Sequence, residues 1–191
     1  MISFAEIEIA LLGLVRLARF DAAFAGFFDL SQQGARRSFR LALWLLPIVL
    51  LLMNLNAKWT EETDMGRVVF GELIAYSLGW TCFSLLLVTV APMIDRRSRI
   101  YGAIAIYNWL TLLSVALQTP ITIAIYYGLD LQWAGALSDI TLLFVTACEF
   151  FAFQRLLELR FGLTIALVGF DFVLTRILEL LSYGLVHDAL F

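Results

Sequence analysis

Long apolar runs broken by short charged clusters set the rhythm of this 191-residue chain. A helix that crosses a bilayer needs about 20 mostly apolar residues. Five runs approach or exceed that length, at about 41–56, 68–93, 100–126, 132–154 and 162–186. The first is short and holds Pro47, so its start is expected to extend back toward Arg37 as a snorkelling end. The pattern predicts an all-α integral membrane bundle of five transmembrane helices, in a single domain over 1–191.

Residues 3–20 follow a different pattern. Phe4, Ile7, Leu11, Leu14, Val15 and Ala18 share one face at helical spacing, and Glu8, Arg16 and Arg19 gather opposite. Ser3 and Glu6 fit a capping box. The stretch is too charged to span easily and apolar enough to lie on a membrane surface. It predicts an amphipathic interfacial helix; packing on the ends of the bundle is the alternative. FAGFFDLSQQGARRSF then turns the chain inward, with Ser31 or Asp29 as the expected helix cap.

Composition agrees with the pattern. The chain is 62% hydrophobic and 15% charged, against about 25% charged in soluble domains. Its net charge of -3 includes no basic stripe to neutralise phosphates, which argues against nucleic acid. Cys82 and Cys148 lie inside apolar runs and read as small buried residues, with no metal or disulfide spacing. The N-terminus carries Glu6 and Glu8 where a cleaved signal peptide would be positive.

The loops set an orientation. Arg16, Arg19, Arg36, Arg37, Arg40, Arg96, Arg97, Arg99, Arg155 and Arg160 all fall on one side of the predicted spans. Lys58 and Arg67 fall on the other, among Glu61, Glu62 and Asp64. The positive-inside rule then places the N-terminus in the cytoplasm and, after five spans, the C-terminus outside the inner (plasma) membrane. Trp59, Tyr126, Tyr127, Trp133 and Tyr183 fall near the outer interface, as an aromatic belt does. RRS precedes the first span at 36–38 and the third at 96–98. Both copies are positive flanks, and the sharper expectation is that Arg16, Arg19, Arg36, Arg37, Arg40, Arg96, Arg97 and Arg99 grip lipid headgroups.

Three of the predicted spans carry polar stripes. With Asp171 at zero and about 100° per residue, Thr164, Thr175, Glu179, Ser182 and Arg176 fall between about 20° and 140°. Asp139 lines a stripe with Gln132 and Thr146, with Glu149 beside it. Asn108 shares an arc with Tyr101, Thr111, Thr119 and Thr122, and Gln118 lies alongside. Lipid cannot satisfy such groups, so the stripes are expected to face one another in a shared interior. Depth along the helices predicts that Arg176 pairs with Asp139, Glu179 or both, joined by Gln118. Asn108, Glu149 and Asp171 form a second, net acidic group, in which at least one carboxyl is expected to carry a proton. Pro120 is expected to kink the third span.

Two readings of this cluster follow: polar glue that fixes helix register, or a path for protons or cations lined by the same residues. No phosphate loop, dinucleotide fingerprint, HExxH or CxxC is present, and the only histidine is His187. The chain is therefore expected to be no enzyme, with no cofactor and no metal. Its expected partners are membrane lipids, with other membrane proteins or a second copy as further candidates.

With FFDLSQQGARRSF before the first span and IAIYNWLTLL in the third, the chain resembles the small bacterial Yip1-domain membrane proteins. It lacks the Asp-Leu-Tyr-Gly-Pro type segment and the long cytosolic N-terminal region of eukaryotic relatives. The resemblance implies five spans and a membrane-organising or partner-binding role, and it transfers no catalytic residues. The expected function is that of a non-enzymatic membrane protein acting through lateral contacts; a small proton- or cation-linked transporter or channel is the alternative.

Overall fold

The apolar runs become helices. The computed structural model describes residues 4–56 and 65–186. Among them are α1 (Phe4–Ala18), a 3₁₀ turn (Ala22–Phe27), α2 (Gln32–Ser38), α3 (Arg40–Asn56), α4 (Met65–Val90), α5 (Ile100–Tyr126), α6 (Leu131–Leu157) and α7 (Phe161–Val186), and no strand. Ser3, Lys58, Trp59, the acidic residues of 61–64, His187 and the side chains of Arg67, Glu179, Ser182 and Tyr183 lie outside the described residues.

Four helices are long and apolar enough to cross a membrane: α4 from Val68, α5, α6, and α7 through Leu178. The first predicted span is present as α3, but its 17 residues rise only about 25 Å at ~1.5 Å each. That is short of a hydrocarbon core of about 30 Å, so four of the five expected spans reach crossing length among the described residues. Pro47 and Pro120 both sit inside continuous helix.

The ends follow local chemistry. Ser31 caps α2, its hydroxyl accepting from the Gly34 N–H at 3.1 Å. Pro92 follows the end of α4 closely, in a turn completed by Asp95 at φ 55°. Gly128, at φ 97°, closes α5 in the left-handed conformation that glycine adopts freely, and the Leu129 N–H reaches back to the Ala124 carbonyl at 2.8 Å.

α5 is the centre of the bundle. α6 and α3 flank it, α2 lies along its first half, and α7 packs on α4 and touches α6. Small residues allow this enclosure. Gly102, Ala103 and Ala105 are buried, and a Cβ on Gly102 would stand 3.1 Å from the Leu30 side chain. Phe83 of α4 wedges between Tyr107 of α5 and Phe153 of α6, with ring centroids 4.7 and 5.9 Å away.

α1 packs on the bundle. Ala10, Leu14 and Leu17 join Phe24, Phe28, Trp109 and Ala152 in one core. Gly13 permits the approach, since a Cβ there would strike the Phe28 ring. The predicted apolar face is divided: Leu14 turns inward, while Phe4, Leu11 and Val15 stay exposed. The reason is geometric, because the apolar arc of α1 is wider than the strip its neighbours cover.

Candidate functional site: a buried polar core and a clamped basic end

α5 presents two consecutive polar residues to different neighbours, because adjacent side chains on a helix point about 100° apart. Tyr107 donates its O–H to Asp171 Oδ1 of α7 at 3.0 Å. Asn108, fully buried, donates from Nδ2 to Ser38 Oγ of α2 at 2.9 Å, and the Ser38 O–H in turn donates to the Ala35 carbonyl at 2.7 Å. Glu149 of α6 is buried in the same interior. Glu149 Oε1 and Asn108 Oδ1 are buried without a hydrogen-bond partner among the described residues.

Asn108, Glu149 and Asp171 are thus buried in the bundle interior. Asp139 and Arg176 are not part of this interior; both are exposed on the chain surface. Gln118, half-buried, donates to Ser138 Oγ at 2.7 Å rather than to either charge. The Arg176 guanidinium lies 5.3 Å from the centre of the Phe172 ring, and the Glu179 side chain is outside the described residues.

The wheel explains the split. On α6, Glu149 and Ser138 fall about 80–100° to one side of Asp139, and that side packs. On α7 the buried residues Thr164, Leu167 and Val168 lie within about 60° of Asp171, while Arg176 lies near 140°. One helix cannot turn two stripes so far apart into one interface. Leu167, about 40° to the other side of Asp171, is buried with it. Sequence reasoning missed Tyr107 and Ser38 as members of the core. The signal available was adjacency: each neighbours a residue already singled out, Asn108 in IYNW and Arg37 in RRS.

Several of the arginines expected at lipid headgroups make contacts within the protein. Arg37 Nη2 pairs with Asp29 at 2.6 Å and its Nε with Glu6 at 3.3 Å, tying α1 to α2. Arg16 pairs with Asp21 at 2.7 Å. Arg96 Nε donates to the Leu157 carbonyl at 2.6 Å, Arg99 Nη1 to the Leu156 carbonyl at 3.4 Å, and Arg99 also pairs with Glu158 at 2.6 Å. The second RRS segment therefore caps the C-terminus of α6, where carbonyls lack helical partners and positive charge is favoured. Glu158 takes the left-handed conformation there, at φ 49°.

These contacts hold three carboxyls below their usual range: Asp29 mainly by hydrogen bonds from Ser31, Glu158 by the Arg99 hydrogen bond and charge, and Asp21 by the Ala23 N–H. Arg19, Arg36, Arg40 and Arg97 are exposed. Among the described residues, no group of three or more His, Cys, Asp or Glu is placed to hold a metal.

An all-helical chain with four helices fit to cross a bilayer and ionisable groups inside the bundle belongs to the class of membrane proteins. Comparison with protein families, with curated proteins and with solved structures finds no match in any of the three.

Proposed function

We propose that the protein is a non-enzymatic component of the inner membrane that acts through lateral contacts with lipids or partner proteins, its buried polar groups serving as internal glue. One observation carries this reading. The interior hydrogen bonds cross-link separate elements, α5 to α7 through Tyr107 and Asp171, and α5 to α2 through Asn108 and Ser38. The three grooves lined by Glu6 and Phe27, by Leu163 and Phe170, and by Arg36 and Leu85 do not include Asn108, Glu149 or Asp171. In this reading α3 is the fifth span, the N-terminus is cytoplasmic and the exposed residues Phe4, Leu11 and Val15 of α1 meet the interface. The clustering of basic segments at one end supports that orientation: Arg96 and Arg99 bind the end of α6, and α2 lies along the start of α5. A membrane-organising role is also what the Yip1 resemblance implies.

A second reading, a proton- or cation-linked transporter, draws on the unpartnered Glu149 Oε1 and Asn108 Oδ1. Reconstitution separates the two. In liposomes under a pH or potassium gradient, the glue reading expects background flux from the native protein, and Glu149→Gln and Asp171→Asn should alter only its melting midpoint. Flux above background that these two substitutions abolish would replace the first reading with the second.

A further inference from the structure

α2 packs on α5 and makes little contact with α4, which leaves a groove of about 540 Å³ between α2 and α4 with α5 as its floor. Its two walls differ in chemistry. On α4, Leu78, Cys82, Leu85 and Val88 recur at helical spacing along the wall. Thr81 and Ser84 also line it, but their hydroxyls donate to the Ser77 and Trp80 carbonyls of their own helix, so they present little polarity to the groove. On the other side stands Arg36 of α2, exposed and with no ion pair or hydrogen bond from its side chain among the described residues. Beside it the Tyr101 hydroxyl accepts from Gln32 Nε2 at 3.2 Å, which leaves the Tyr101 O–H free to donate.

We propose that this groove binds one anionic phospholipid of the surrounding bilayer, with the phosphate on Arg36 and the Tyr101 O–H and an acyl chain along the α4 wall. Charge complementarity selects the head: the site offers a guanidinium and a hydroxyl donor and no carboxylate. Shape selects the tail. From Leu78 to Val88 the wall rises through ten helical steps, about 15 Å at ~1.5 Å per residue, or about half the thickness of a ~30 Å hydrocarbon core. That is the depth of one leaflet. The groove also opens sideways: Leu85 is 67% exposed, and Leu78 and Val88 are exposed with it. The proposal deepens the lateral-contact reading by naming a lipid class and a site, and it is tested by binding, so its failure is distinct from a failure of the flux experiment.

The purified protein in detergent is incubated with dioleoyl phosphatidylglycerol or dioleoyl phosphatidylcholine, and retained lipid is counted by native mass spectrometry. The native chain should keep one phosphatidylglycerol per chain in clear preference to phosphatidylcholine. Arg36→Gln should lower phosphatidylglycerol retention about tenfold, while Arg160→Gln, an exposed arginine outside the groove, should not. Leu85→Trp should fill the apolar wall and reduce retention of both lipids. All three substituted positions are exposed, so melting midpoints near that of the native protein are expected and show that the variants are folded. Equal phosphatidylglycerol retention by the native chain, Arg36→Gln and Leu85→Trp would overturn the proposal. So would displacement of the lipid by inorganic phosphate alone, which would mean a simple anion site, or a dimer that Leu85→Trp dissolves, which would mean that a second copy fills the groove.

Discussion

In the first eleven residues of α5, Ile100 to Leu110, every residue but Tyr101 and Tyr107 is buried. In the first ten residues of α6, Leu131 to Ile140, every residue but Ala134 and Ser138 is at least one-third exposed. Both segments come from long apolar helices, and both carry a polar residue well inside the run, Asn108 in one and Asp139 in the other. Their fates differ because their neighbours differ. α2, α3, α4 and α6 enclose the first segment, so Asn108 must find a bond inside the protein and takes Ser38. The second segment opens beyond the reach of α1 and α2, and Asp139 remains at the surface. Enclosure by other elements, rather than distance along the helix, decides which intramembrane polar groups become structural.

The largest expected effect tests whether the enclosed end is sterically closed. A Cβ on Gly34 would overlap the Asp29 carbonyl oxygen, an obstacle that a side-chain rotation cannot remove. Gly34→Ala should therefore destabilise by about 3 kcal/mol and expose the α1–α2 segment to proteolysis. A melting midpoint equal to that of the native protein would show the enclosure to be loose.

Next comes the contrast itself. Asn108→Ala should cost about 2 kcal/mol through lost packing and a lost buried hydrogen bond. Asp139→Asn in the purified single chain should stay within about 0.5 kcal/mol, as surface changes do. Equal costs in thermal unfolding would erase the distinction between the two regions.

A smaller effect concerns the cap on α6. Arg96→Ala removes the donor to the Leu157 carbonyl and should destabilise by about 1 kcal/mol. Hydrogen exchange should then quicken in the last turn of α6 and leave its first turns unchanged.

The smallest effect is one of pH. Asp29 and Glu158 are held below the usual carboxylate range, so their contribution to stability is complete above that range, near pH 4, and is lost as pH falls through their lowered values. A modest drop in melting midpoint is expected between about pH 5 and pH 3, and Glu158→Gln should shrink it. A drop of the same size in a variant carrying both Asp29→Asn and Glu158→Gln would assign the acid sensitivity to other groups.

Much of the helical layout was legible in the chain. The third apolar run, 100–126, coincides with α5, and the others fall within a few residues of their helices, because length and apolar continuity specify a helix in oil without reference to neighbours. Ser31 was legible as a cap for a similarly local reason. The candidate site was legible only in part. Asn108, Glu149 and Asp171 stood out by residue type. That Asp139 and Arg176 lie outside their group depends on which face of α6 and α7 packs, and a wheel shows faces without showing partners. The contacts of Arg96 and Arg99 were not legible for a related reason: a positive loop reads the same whether it meets phosphate or the carbonyl end of a helix far away in sequence.

What the sequence determined by itself is the membrane character, the helices, and the concentration of arginine in four segments, all of them properties of composition and short-range periodicity. What only the tertiary structure decided is which polar residues are enclosed, which arginines are already engaged, and where a groove remains between α2 and α4. Those outcomes depend on how closely helices approach one another. That closeness is set by a few small residues, Gly13, Gly34 and Gly102, whose significance appears only when the atom pressed against each of them is known.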